Sequence, residues 1–182
     1  MKIVISPDSF KECLPAWKVA EALATGWRKV LPGSQLVCLP VADGGEGTLE
    51  TLIHATDGTF YTKKVTGPLG ESIHAQYGIL GNQTTAVIEL AQASGLELVS
   101  PVQLSPLYTT SFGTGELILA ALEHNIDTVI LCLGGSATND GGIGLMSALG
   151  ASFTDAEGLS VSVNGMGLAA IHTLTYSTSI HD

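Results

Sequence analysis

The sequence predicts an α/β protein, with a parallel three-layer α/β unit of Rossmann-like type over residues 1–59 and a second, sheet-rich α/β unit over residues 60–182. Three observations predict it. Apolar strand-like runs lead straight into glycine-rich turns and then into helical patterns, the order that builds parallel sheets. Near Gly58 the alternation stops, and three strand-like runs follow with no long helix between them. The chain is 45% hydrophobic and only 13% charged over 182 residues, enough to bury a sizeable core.

Lys2 to Ser6 reads as a first strand, and Pro7-Asp-Ser-Phe-Lys11 as the loop after it. Pro15 suits the start of a helix running to Val30, whose buried face is predicted as Val19, Ala22, Leu23, Trp27 and Val30. Pro32-Gly33 ends it. Residues 35 to 41 form the next strand and Gly47 to Thr56 a second helix, with Leu49, Leu52 and Ile53 inward. Strands at Phe60 to Thr66, Ser72 to Leu80 and Thr85 to Leu90 follow, separated by turn residues. Gly95 to Tyr108 carries two prolines and reads as irregular. A helix at Thr114 to Asn125, a strand at Asp127 to Leu133, a helix at Asn139 to Gly150 and a strand at Ala151 to Thr154 complete the pattern.

Charge narrows the function. The formal net charge is −10, and all seven basic residues lie at or before Lys64. A basic surface for nucleic acid is therefore not expected. No apolar run approaches a membrane span and no signal-peptide pattern opens the chain, so a cytoplasmic location is expected. Three widely spaced cysteines suit free thiols. No Walker A sequence or complete dinucleotide fingerprint occurs, and no histidine pair has zinc-site spacing.

The glycine-rich turns carry the chemistry. In Gly134-Gly-Ser-Ala-Thr-Asn-Asp-Gly-Gly142, the amides around Gly134, Gly135 and Ser136 can face an anion, with Thr138 beside them, while Asn139 or Asp140 caps the next helix. In Asp43-Gly-Gly-Glu-Gly-Thr48, Gly44 and Gly45 sit between two acids. Acids beside an anion site imply an intervening divalent cation or a substrate hydroxyl to hold or deprotonate, which gives Asp43 and Glu46 their interest; helix capping by Asp43 is the plain alternative. Ser111, Gly113, Thr114 and Gly115 form a hydroxyl-rich segment that is either a ligand cradle or a helix cap. Ala91 to Gly95 is either a turn or a segment that approaches substrate.

Five segments, Pro7–Lys11, Pro40–Thr48, Val65–Gly70, Thr109–Ile118 and Gly134–Gly142, together resemble the bacterial glycerate kinases of the type 2 family, in that family's order. The resemblance implies ATP-dependent phosphorylation of D-glycerate to 2-phosphoglycerate, with ATP and Mg²⁺ as cofactors. It also implies glycerate and a nucleotide as the partners, with neither nucleic acid nor membrane, and is compatible with a homo-oligomer. The residues it marks as catalytic are Asp8, Lys11, Asp43 and Glu46, with Ser9 and the glycine-turn residues in substrate or phosphate binding. The metal ligands stay unassigned. The family's later motifs have no counterpart here, and the pattern is read as drifting after Asp155, so an N-terminal portion with an incomplete second unit is expected. A catalytically silent fragment that binds anions or a partner is the alternative, and an oxidoreductase with a nonstandard glycine turn a more distant one.

Overall fold

The computed structural model describes residues 1–10 and 13–176. Its elements are β1 (Lys2–Ile5), α1 (Ala16–Val30), β2 (Gln35–Cys38), α2 (Thr48–Ala55), β3 (Thr59–Thr66), β4 (Ser72–Ile79), β5 (Thr85–Glu89), α3 (Ala91–Ser94), α4 (Phe112–Leu122), β6 (Thr128–Cys132), α5 (Ile143–Ala148), β7 (Ala151–Thr154) and β8 (Thr173–Tyr176). The architecture is mixed α/β.

β1 and β2 pair in parallel, Val4 opposite Val37, as a strand–helix–strand unit requires. α1 covers one side, but not with the face expected from the sequence. Ala16, Val19, Ala20 and Ala24 are buried, Ala20 and Ala24 against Ile3, Ile5 and Leu36, whereas Leu23, Trp27 and Val30 are exposed. Three alanines at four-residue spacing let the helix backbone approach the strands closely. The larger apolar residues form a separate exposed stripe.

The main sheet has the order β3-β4-β5-β6. β3, β4 and β5 run antiparallel in succession, and β6 joins β5 in parallel, Thr85 opposite Thr128 and Glu89 opposite Cys132. β3, β5 and β6 therefore all end at the same edge. Every residue of β5 is buried because helices cover both faces. Ala86 and Ile88 pack with Leu117, Ala120 and Ala121 of α4, while Val87 packs with Leu49 and Ile53 of α2. Each fully buried aliphatic side chain contributes roughly 1.5–3 kcal/mol. α2 thus shares its core with β4, β5 and β6, although it precedes them in the chain.

Four elements differ from the sequence reading. α4 starts two residues early, at Phe112, because Gly113, Thr114 and Gly115 are taken into its first turns. α5 starts four residues late, because Asn139 to Gly142 form a turn with Gly141 and Gly142 in the left-handed region. α3 and β8 had no sequence signal: α3 is a single helical turn, and β8 pairs antiparallel with β7, Ala151 opposite Tyr176.

Candidate functional site

The Pro7, Asp43, Gly67 and Gly134 segments follow the carboxyl ends of β1, β2, β3 and β6, where parallel α/β sheets collect ligands, whereas the Ser111–Gly115 segment opens α4. Pro7 to Ser9 follow β1, and Val41, which follows β2, donates its N–H to the Pro7 carbonyl at 3.0 Å. Two residues later the chain reaches Asp43. Asp8 accepts from its neighbour's amide, Ser9 N, at 2.6 Å and is exposed. Lys11 lies outside the described residues.

In the Asp43 turn, Asp43 Oδ1 accepts from Gly45 N at 3.0 Å, and Thr48 Oγ1 accepts from Gly44 N at 3.1 Å. Asp43 and Glu46 are both exposed. The helix cap that Asp43 could have supplied comes instead from Glu89 at the end of β5. Its Oε2 accepts from Leu49 N at 2.9 Å and its Oε1 from Gly47 N at 3.3 Å. Glu89 is 0% exposed, and burial raises its carboxyl pKa, opposed by hydrogen bonds from the amides of Leu49, Gly47 and Thr48 and from the Gln92 side chain. Sequence reasoning missed Glu89. The available signal was a lone acid closing an otherwise apolar strand.

The second turn packs directly on the first. Gly134 N donates to the Gly44 carbonyl at 2.9 Å, and a Cβ on Gly134 would stand 2.8 Å from Gly45 N and 3.0 Å from that carbonyl. Glycine at 134 is thus required by the contact between turns. Ser136 Oγ accepts from Thr138 N at 3.0 Å and lies 2.9 Å from Thr138 Oγ1, so these hydroxyls brace the turn. Gly135 and Ser136 are also tied to the segment after α3, since Leu96 N donates to the Gly135 carbonyl at 2.9 Å and Gly95 bridges Ser136. Asn139 is exposed.

Asp140 is 2% exposed and accepts four hydrogen bonds. Oδ2 takes Ser111 N and Ser111 Oγ, both at 2.8 Å, and Gly144 N at 3.2 Å; Oδ1 takes Gly142 N at 3.0 Å. It secures the start of α5, as expected of a cap, and also the residue preceding α4. Gly113 lies against the Thr66 backbone, and Gly115 against Leu145 O and Ala148 of α5, so close helix packing accounts for both glycines without a ligand. Thr114 Oγ1 is buried at 2.9 Å from Ser94 Oγ, an internal link between α3 and α4. Beside Asp140 lies a cleft of about 320 Å³, with Ser111, Thr138 and Asn139 among its polar lining and Leu131, Leu133 and Leu145 on its apolar side.

The Val65–Gly70 segment joins the assembly through α4. Glu116 Oε2 accepts from Thr66 N at 2.6 Å, and Thr110 N donates to the Pro68 carbonyl at 2.9 Å. Thr109 Oγ1 donates to the Ala137 carbonyl at 2.8 Å. Five segments spread from Pro7 to Gly142 are in this way linked into two hydrogen-bonded groups that meet at Gly134–Asp140.

A family model described as the glycerate kinase family matches residues 3–181. The chain belongs to the glycerate kinase family. It is 52% identical over 177 residues to glycerate 2-kinase of Escherichia coli (strain K12), covering 97% of this chain and 46% of that protein. It is 49% identical to glycerate kinase of Bacillus subtilis (strain 168), with the same coverage of both chains. A crystal structure from Salmonella typhimurium LT2, assigned as glycerate kinase 2, superposes with a TM-score of 0.85 at 50% identity, over 96% of this chain and 46% of that one. The chain thus spans about half the length of the relatives it matches. The family match also runs past Asp155, where the sequence reading had the pattern drifting.

Among the described residues no group of three or more His, Cys, Asp or Glu is arranged to hold a metal, and no helix is long and apolar enough to cross a membrane. Mg²⁺ in phosphoryl transfer is commonly held by one or two carboxylates together with substrate phosphates and water. The exposed pair Asp43 and Glu46 fits that donor set.

Proposed function

We propose that this chain carries the Asp43 and Gly134 turns of a glycerate kinase that transfers the γ-phosphoryl group of ATP to a hydroxyl of D-glycerate, giving 2-phosphoglycerate. The observation that carries the reading is the junction of those two turns through Gly134 N and the Gly44 carbonyl, at the carboxyl ends of the strands, with two exposed acids on one of them. Phosphoryl transfer depends on alignment and charge neutralisation more than on covalent chemistry of the protein. Asp43 and Glu46 would hold Mg²⁺, which supplies neutralisation of the nucleotide phosphates when bound. Asp8 and Asp43, following adjacent parallel strands, orient the glycerate hydroxyl, and Ser9 and Lys11 meet its carboxylate or the transferring phosphate. The exposed Asn139 and the hydroxyl of Thr138, at the mouth of the Asp140 cleft, contact the nucleotide. The N-terminal β1–α1–β2 unit belongs, in this reading, to a larger parallel three-layer sheet of Rossmann-like type, and the site works in the cytoplasm.

The chain's coverage of less than half of its relatives supports a second reading, that residues 1–182 bind these ligands without turning them over. Titration calorimetry with D-glycerate and with Mg·ATP, run beside a coupled assay for ADP release, separates the two. Glycerate-dependent ADP release supports the kinase reading, and binding without release supports the second. Absence of both binding and release would sink the assignment of a substrate site to this chain.

A further inference from the structure

The Asp43 turn has no regular structure of its own to hold it. It contains Gly44, Gly45 and Gly47, two of them at positive φ, so its backbone alone specifies little. Among the described residues, a side chain from another element bonds its far end. Glu89 projects from the end of β5 with its two oxygens on different amides, Oε1 on Gly47 N and Oε2 on Leu49 N. Gly47 follows Glu46 directly, so the clamp grips the residue next to one of the two exposed acids. At its other end the turn is held by Gly134, through the Gly44 carbonyl.

We infer that Glu89 is the positioning residue of the Asp43–Glu46 turn, setting the placement of both acids through the Gly47 and Leu49 amides. The inference rests on the kinase reading above for what those acids do, but the clamp itself is a property of the fold. Chemistry requires a carboxylate here. Each oxygen faces an N–H donor, so a glutamine, with one acceptor and one NH₂, satisfies one amide and turns a donor towards the other. A shorter aspartate cannot reach both. The cost of the arrangement also points to a role beyond packing: burial disfavours the charged form of Glu89, whose carboxyl is raised by desolvation. An apolar residue at the end of β5 would avoid that cost and leave the two amides unmet.

Among the described residues the Cys132 thiol on β6 faces Glu89 and is raised by burial and by the Glu89 charge, while Asp43 and Glu46 lie on the turn itself. The test compares the wild-type 182-residue chain with Glu89→Gln by amide NMR and hydrogen exchange. In the wild type the Gly47 and Leu49 amide shifts titrate with a carboxyl, and in Glu89→Gln they do not. Exchange at Gly47 accelerates at least about tenfold relative to Val87 in the variant, the effect of losing one charge-assisted hydrogen bond. The Gly45 amide, bonded to Asp43 and not to Glu89, shifts as well, because the turn moves as a unit. Glu89→Asp serves as the second variant and gives the same Gly47 acceleration although it keeps the charge.

A uniform loss of protection that includes Val87, with Gly45 unmoved, would overturn the inference and leave Glu89 as an ordinary buried stabiliser. Unchanged Gly47 and Gly45 signals would overturn it equally. Titration of both proteins with Mg·ATP and D-glycerate reads the functional assignment separately. If the wild-type chain binds neither ligand, the kinase reading of this chain fails while the clamp stands or falls on its amide signature.

Discussion

Asp140 offers the sharpest test of how this site is built, because its sequence position suggests a ligand group and its structure shows a latch. Asp140→Ala removes an acceptor shared by Ser111 N, Gly142 N and Gly144 N, along with the Ser111 hydroxyl. Each buried donor left without a partner costs about 1–3 kcal/mol. The neighbouring cleft admits water to some of them, so the lower end applies and the total is about 3–4 kcal/mol. That is a large share of the ~5–15 kcal/mol that holds a typical domain together. Asp140→Asn keeps one acceptor in place and costs less, about 1–2 kcal/mol. Urea unfolding followed by far-UV circular dichroism measures both. With an m-value near ~2 kcal/mol/M, the alanine variant loses about 1.5–2 M from its midpoint. If Asp140→Ala instead unfolds within about 1 kcal/mol of wild type while Mg·ATP affinity disappears, the carboxylate is a ligand group and the latch argument is refuted.

Gly134→Ala forces a Cβ against the Gly44–Gly45 backbone and is expected to cost about 2–4 kcal/mol, whereas Gly26→Ala, with nothing within 4 Å in the exposed face of α1, stabilises by about 0.5–1 kcal/mol; equal midpoints in urea would contradict the contact between turns. Asp43→Asn keeps the bond from Gly45 N, so stability stays within about 1 kcal/mol while affinity for Mg·ATP or D-glycerate falls at least about tenfold by calorimetry; a marked drop in melting temperature with binding intact would make Asp43 structural. Burial lifts the Glu89 carboxyl above its ordinary 4.5, so the folded chain keeps that proton to higher pH than the unfolded one. The stability this contributes is full below pH ~4.5 and is lost as pH rises through the raised value; the slope should vanish in Glu89→Gln, and an identical pH profile for both proteins would dismiss it.

Much of the fold was legible because the sequence states it locally. The strand pattern of β3, β4 and β5 is punctuated by Gly67-Pro68 and Gly81-Asn82, and its bounds match the structure to within a residue. The buried face of α1 was not legible. Leu23, Trp27 and Val30 carry the stronger apolar signal, and only the strands packed behind the helix reveal that alanine-sized residues fit there. α5 was read too long for a related reason. Nothing local says that Asp140 turns back to Ser111, 29 residues upstream, and so delays the helix.

The site was legible as a set of turns and illegible as a division of labour among them. Sequence reasoning gave the amides at the starts of the helices to a bound anion. In the structure the starts of α2 and α5 already face carboxylates, Glu89 on Gly47 and Leu49, and Asp140 on Gly142 and Gly144. A helix N-terminus neutralised by an internal acid holds a phosphate weakly, since the incoming charge meets a carboxylate before it meets the dipole. Phosphate charge near the Asp43 turn must therefore be met by other donors. No lysine or arginine follows Lys64 in the chain, and Asp43 and Glu46 are exposed on the turn that Glu89 holds. The starts of α2 and α5 are in this way committed to internal carboxylates, which makes them scaffold for the two turns rather than open anion seats.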